Sequence, residues 1–103
     1  MHVVIVGGGA AGMMAALAAA ENGAQVTLLE RNPRVGKKLL MTGSGRCNYT
    51  NTHAADPVHY HGLSEAGIEA VLASTTVYKL IDLFSRLGVS PLIEEEDRVY
   101  PRS

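Results

Sequence analysis

Residues 3–30, VVIVGGGAAGMMAALAAAENGAQVTLLE, decide the fold. Residues 3–6 are a short β-branched apolar run that ends in glycine, which is typical of a strand buried on both faces. Residues 10–22 are strong helix formers, and Gly23 follows them as a helix stop. Residues 25–29 have the composition of a second strand. The stretch therefore predicts a right-handed βαβ unit at the start of an α/β fold.

The turn after the first strand carries Gly7, Gly9 and Gly12 in the pattern Gly-x-Gly-x-x-Gly. Gly7 allows the tight turn, Gly9 lets a pyrophosphate approach the backbone, and Gly12 permits close packing of helix on strand. Glu30 ends the second strand, where an acid accepts hydrogen bonds from the ribose of an adenosine and disfavours a 2′-phosphate. A surface acid at a strand end is the alternative for Glu30. In this context the pattern predicts a Rossmann-like dinucleotide site that does not take NADP.

The remainder of the chain predicts a long loop, two helices and a β-hairpin. Residues 31–62 show no clean periodicity and are punctuated by glycine, asparagine and proline, and loops of this length are usually functional. Periodicity and capping residues then give the other elements. These are a helix at 64–73, a helix at 77–87 capped by Thr75 or Thr76 and stopped by Gly88, and strands at 91–94 and 98–100.

Composition excludes several classes of protein. The chain has 103 residues, 47% of them hydrophobic and 18% charged, as in ordinary globular domains. Its net charge of −1 argues against a general nucleic-acid binder. The single cysteine, Cys47, rules out an internal disulfide and fits a reducing cytoplasm. Residues 3–20 carry no charge, but their glycines and alanines do not fit a membrane anchor.

Basic residues are concentrated in one acid-free segment. Residues 31–55 hold five of the nine lysines and arginines and no aspartate or glutamate. This asymmetry indicates either a local anion site or a solvated basic loop.

Four blocks of the sequence together resemble one family. They are VIVGGGAAGMMAA, LLERN, VGKKLLMTGSGRCNYTN and RVYPRS. The chain resembles the N-terminal part of the BaiN-like, aminoacetone-oxidase-type family of FAD-dependent NAD(P) oxidoreductases. This resemblance implies that residues 1–103 begin the FAD-binding Rossmann-like domain of a longer, cytoplasmic flavoprotein. It also implies hydride transfer between NAD(P)H, flavin and a small organic substrate. Net charge and composition, as above, predict that neither nucleic acid nor a membrane is a partner.

The resemblance also implies which residues hold FAD. These residues form two groups. The first group would hold the pyrophosphate and adenosine, and the second would lie along the flavin side. The alternative for the second group is a loop exposed to solvent. The first group is Gly7, Gly9, Ala11, Gly12, Glu30 and Arg31, and the second is Lys37, Lys38, Thr42, Gly43, Ser44, Gly45, Arg46, Cys47 and Asn48. One departure is Asp97, where the family commonly has glycine, but aspartate tolerates a left-handed turn.

The cysteine and the loop histidines are interpreted as structural or solvated residues rather than as catalytic or metal-binding ones. Cys47 has no resolving cysteine or assigned base nearby, so a packing or backbone-positioning role is favoured. His53, His59 and His61 are interpreted as solvated loop residues, and no metal is expected. No catalytic acid, base or nucleophile is identified, as is common where a cofactor carries the chemistry. The rival functions are a flavin-dependent tRNA-modifying protein, which needs a basic RNA surface beyond residue 103, and a non-enzymatic nucleotide-binding module.

Overall fold

The computed structural model describes residues 1–102 and divides into two compact units, Met1–Gly45 and a second that begins at Arg46. The first unit has two strands and two helices. They are β1 (His2–Val6), α1 (Ala10–Glu21), β2 (Gln25–Leu29) and α2 (Lys37–Gly45).

The predicted βαβ unit is confirmed. Strands β1 and β2 are parallel, with His2 opposite Gln25 and Val6 opposite Leu29. Helix α1 connects them and ends at the cap residue Asn22, after which Gly23 takes a left-handed backbone with φ +82°. That conformation is why glycine stops the helix here.

The expectation that the first strand is buried on both faces is wrong for the described residues. Helix α1 packs on the face that carries Ile5, which is half-buried. On the other face Val4 is 56% exposed and Val6 84% exposed. Helix α1 covers only one side of the strand, whereas the apolar composition of the run had predicted cover on both.

The long structureless loop predicted for residues 31–62 is also wrong in part. This region contains α2, a two-residue strand β3 (Thr50–Asn51) and a 3-10 turn (Pro57–His59). In α2 the backbone leaves helical geometry at Thr42, Gly43 and Ser44. The regular part is therefore little more than one turn, which is too short to produce a visible hydrophobic period.

The second unit contains an antiparallel sheet and two helices. The remaining elements are α3 (Glu65–Ser74), α4 (Val77–Arg86), β4 (Pro91–Ile93), a 3-10 turn (Glu95–Asp97) and β5 (Arg98–Pro101). The predicted hairpin of β4 and β5 is confirmed, and β3 joins it to give the strand order β3-β5-β4. The central strand β5 carries Val99 and Tyr100, both buried.

Local signals set the boundaries in this unit. Ser64 Oγ accepts a hydrogen bond from the Gly67 N–H and caps α3, and Thr76 Oγ1 accepts one from the Lys79 N–H and caps α4. Between β4 and β5 the backbone of Asp97 is left-handed with φ +59°, as its tolerance of that region predicts. In residues 1–102 no helix is both long enough and apolar enough to cross a membrane.

Candidate cofactor site

An open cleft of about 570 Å³ lies at the carboxyl ends of β1 and β2. In α/β sheets ligands bind outside this edge of the strands. The cleft has an apolar part, a glycine-rich part and a charged part. Its lining residues are Val6, Gly7, Gly8, Gly9, Leu29, Glu30, Arg31, Asn32, Lys37, Lys38 and Met41. Six of the predicted site residues are thus brought together here.

The three motif glycines each occupy a different environment. Gly7 has φ +102°, and its N–H donates to the Leu29 carbonyl at 2.8 Å, so its role is conformational. A methyl group added at Gly12 would lie 1.8 Å from the Gly7 carbonyl oxygen, which leaves no room for any other residue. A methyl group at Gly9 would meet no atom within 4 Å. Gly9 therefore presents bare backbone to open space.

The first turn of α1 supplies hydrogen-bond donors beside Gly9. Within this helix the first such bond runs from the Met13 N–H to the Gly9 carbonyl at 2.9 Å. The N–H groups of Ala10, Ala11 and Gly12 consequently lack partners within the helix. Such donors at the positive end of a helix dipole suit a phosphate, so the start of α1, which follows the cleft-lining Gly9, fits a pyrophosphate.

Glu30 is held by protein groups on both carboxylate oxygens. Oε1 accepts hydrogen bonds from the Asn32 backbone N–H at 2.9 Å and from Asn32 Nδ2 at 3.0 Å. Oε2 accepts one from the Gly8 N–H at 2.7 Å. The Asn32 and Gly8 amides hold the pKa of Glu30 below its usual value, so the side chain is an ionised acceptor at neutral pH.

Gly8 and Asn32 are the site residues that sequence reasoning missed. Gly8 is buried, and a methyl group there would lie 2.8 Å from Val35 Cγ1. Its carbonyl accepts a hydrogen bond from the Gly36 N–H at 2.7 Å. The segment between Glu30 and Gly36 thus folds back onto the glycine loop. The only available signal for Gly8 was its position as the middle glycine of three in a row, between Gly7 and Gly9.

The same fold-back sets the start of α2. Gly36 has φ +71° and is buried, and its carbonyl accepts the Leu40 N–H at 2.9 Å. Lys37 and Lys38 follow immediately and line the cleft with exposed side chains. Two cations therefore line the same cleft as Gly9.

The predicted residues Thr42, Gly43, Ser44 and Gly45 end the first unit and are not among the described residues that line the cleft. Thr42 Oγ1 donates to the Leu39 carbonyl at 2.6 Å. Gly43 and Ser44 are both left-handed, with φ +57°. The segment is a sharp change of direction after Met41, as its glycines allow.

Arg46, Cys47 and Asn48 belong to the second unit and interact there. The Arg46 guanidinium forms a bidentate ion pair with Glu94, at 2.8 and 2.7 Å, and lies 4.3 Å from the centre of the Tyr100 ring. This pairing lowers the pKa of Glu94. With its amide oriented so that the nitrogen faces the neighbouring carbonyl groups, Asn48 donates a hydrogen bond to the carbonyl of Thr50. The binding role predicted for these residues remains a prediction.

Cys47 combines backbone strain with partial burial. Its φ of +62° is unusual for a residue other than glycine. Burial raises the pKa of the thiol, which disfavours the reactive thiolate. Both features agree with a positioning role rather than a nucleophilic one.

The loop histidines do not gather into a metal site in the described part of the chain. His53 Nε2 pairs with Asp97 Oδ2 at 2.8 Å. Within residues 1–102 no three His, Cys, Asp or Glu side chains lie close enough together to hold a metal ion.

Comparison with known proteins gives one family and several relatives. A family model described as the HI0933-like protein Rossmann domain matches residues 1–103. The chain is 42% identical over 104 residues to the 3-dehydro-bile acid delta(4,6)-reductase of Clostridium scindens, covering 99% of this chain and 25% of that protein. It is 36% identical over 87 residues to the ribosomal RNA dihydrouridine synthase of Escherichia coli, covering 84% of this chain and 22% of that protein.

The corresponding synthase of Haemophilus influenzae is 34% identical over 87 residues, with 84% of this chain and 21% of that protein covered. The chain thus spans about a quarter of the length of the curated relatives it matches. The family match confirms both the Rossmann fold and the resemblance read from the four sequence blocks. The chain belongs to the HI0933-like Rossmann domain family.

Proposed function

We propose that the cleft binds the ADP half of FAD and that the protein is a flavin-dependent oxidoreductase. The observation that carries the proposal is the combination of bare backbone at Gly9, first-turn N–H groups of α1 that have no partner within the helix, and the ionised Glu30 carboxylate directly after β2. An ADP group has a diphosphate and a ribose diol, which need donors and an acceptor respectively.

In this proposal the residues of the first unit divide the binding task. The amides of Ala10, Ala11 and Gly12 donate to the pyrophosphate, and Glu30 accepts from the ribose. Lys37 and Lys38 line the same cleft and neutralise part of the phosphate charge. Bound FAD supplies the capacity to accept and deliver hydride, while the protein supplies orientation and electrostatics.

The names of the relatives support a reduction. One is a reductase, and the other two are synthases of dihydrouridine, which carries two more hydrogens than uridine. We therefore propose that the protein catalyses the reduction of an unsaturated organic substrate by NADH or NADPH, for which bound FAD would carry the hydride and solvent would supply the accompanying proton. A small molecule is the first candidate, because this chain has a net charge of −1 and no basic surplus for RNA.

RNA is the second candidate substrate. The two ribosomal RNA dihydrouridine synthases among the relatives favour it and weigh against the expectation that nucleic acid is not a partner. This candidate is similar to the rival function given in the sequence analysis, a flavin-dependent tRNA-modifying protein, but with ribosomal RNA as the substrate.

Anaerobic reduction of the full-length flavoprotein tests the proposed function. We expect NADH or NADPH to bleach the visible flavin absorption, and an unsaturated carbonyl compound to restore it. Restoration by unmodified ribosomal RNA but not by small compounds would move the assignment to the second candidate. A flavin that neither dinucleotide reduces would contradict the proposed hydride donor.

A further inference from the structure

We infer that Asn32 is a positioning residue of the candidate site, which fixes the Glu30 carboxylate so that a single oxygen faces the ribose of the cofactor. This inference rests on the proposed function, because it assigns Glu30 to the ribose. Asn32 lines the cleft and lies two residues beyond Glu30, outside the glycine motif.

The hydrogen bonds of Glu30 carry the inference. A carboxylate offers about four acceptor positions, two on each oxygen. Both positions on Oε1 are used by Asn32, through its backbone N–H and its Nδ2 group. One position on Oε2 is used by the Gly8 N–H. These three bonds occupy Oε1 fully and leave Oε2 as the oxygen that can meet a ribose hydroxyl. The Arg31 backbone N–H also interacts with the carboxylate and helps to lower its pKa.

Charged residues near Glu30 do not perform this task. Arg31, Lys37 and Lys38 line the same cleft, yet among residues 1–102 no ion pair joins any of them to Glu30. Helix α1 contributes a single charged residue, Glu21 at its last position. The neutral amide of Asn32 is therefore the side chain that orients the carboxylate.

A pH profile separates positioning from simple support of the fold. The Asn32 bonds keep the pKa of Glu30 low, so the acceptor survives down to acidic pH. Removal of the Asn32 side chain takes away its Nδ2 hydrogen bond and raises that pKa, while the larger contribution of the Asn32 backbone N–H remains. The loss of FAD affinity on acidification then begins at a higher pH than in the wild-type protein.

The experiment uses the full-length protein stripped of flavin, with FAD binding followed by flavin fluorescence over a range of pH. Asn32→Ala should raise the FAD dissociation constant about fivefold at neutral pH, the equivalent of one hydrogen bond, and move the acid limb to higher pH. The matched control is Asn22→Ala. Asn22 Nδ2 donates to the Ala18 carbonyl at 2.8 Å at the end of α1, so this variant should change neither quantity.

A second variant keeps the test decisive if Asn32→Ala folds poorly. Asn32→Asp keeps the side-chain size but places a like charge against Glu30, so affinity should be low at neutral pH and recover on acidification, the opposite trend. Wild-type affinity and pH profile in both variants would overturn the role of Asn32 alone. Failure of the wild-type protein to bind FAD would overturn the proposed function itself.

Discussion

Gly12→Ala is the substitution whose cost follows most directly from the structure. The added methyl carbon would lie 1.8 Å from the Gly7 carbonyl oxygen and 3.0 Å from the Gly7 carbonyl carbon. Both are backbone atoms, so the helix or the glycine loop must move by about 1.5 Å to restore contact distance. Moving the loop would also lengthen or break the 2.8 Å hydrogen bond from the Gly7 N–H to the Leu29 carbonyl.

Overpacking of this kind costs about 1–3 kcal/mol, and a lost backbone hydrogen bond adds about 1 kcal/mol. We therefore expect Gly12→Ala to lower the free energy of unfolding by about 3 kcal/mol, measured by urea denaturation of the protein without cofactor. A change below about 1 kcal/mol would refute the close approach of α1 to the glycine loop.

Gly9→Ala is the matched control for the same motif. Its backbone, with φ −79° and ψ −173°, is open to any residue, and the added methyl group meets no atom within 4 Å. Stability should change by less than about 1 kcal/mol. FAD affinity should nevertheless fall by about tenfold or more, because the methyl group occupies space that the pyrophosphate needs. Unchanged affinity would place the phosphates elsewhere.

Three further predictions concern the second unit. Tyr49→Phe should leave the free energy of unfolding unchanged or raise it by about 1 kcal/mol, because the Tyr49 hydroxyl is buried without a partner in the described residues and its ring stacks on Phe84 at 4.3 Å; urea denaturation decides this. Cys47 should react with iodoacetamide more slowly than a free thiol at mildly alkaline pH, since burial raises its pKa, and an equal rate would contradict this. Glu94→Gln should cause a small loss of stability that shrinks with added salt, because the ion pair with Arg46 is half-exposed; a loss independent of salt would assign the effect to packing.

Sequence reasoning succeeded where the signal is local. The β-branched run of β1, the alanine-rich helix and Gly23 give the βαβ unit because each element is long enough to show its own composition. It failed for α2, whose regular part is little more than a turn before the break at Thr42. It also failed for β3, which has two residues and exists only because β5 pairs with it.

The same distinction holds for the candidate site. Fixed spacing predicts that Gly7, Gly9 and Glu30 lie together, and the structure places them in one cleft. Gly8 and Asn32 depend on a segment that folds back onto the glycine loop, which no spacing reveals. The family resemblance assigned Arg46 to the flavin side, which stays a prediction; its ion-pair partner Glu94, 48 positions away, could not be found from the sequence. Contacts between residues distant in sequence are the part that composition and spacing do not encode.

Identification of the bound cofactor tests the central claim most directly. The full-length protein is purified, denatured and separated from its ligand, and the released compound is identified by chromatography and mass. The arrangement of Gly9, the first turn of α1 and Glu30 predicts a yellow protein that releases FAD in an amount equal to the protein. Release of FMN, or no flavin bound even after incubation with FAD, would contradict the assignment of this cleft to the adenosine diphosphate of FAD.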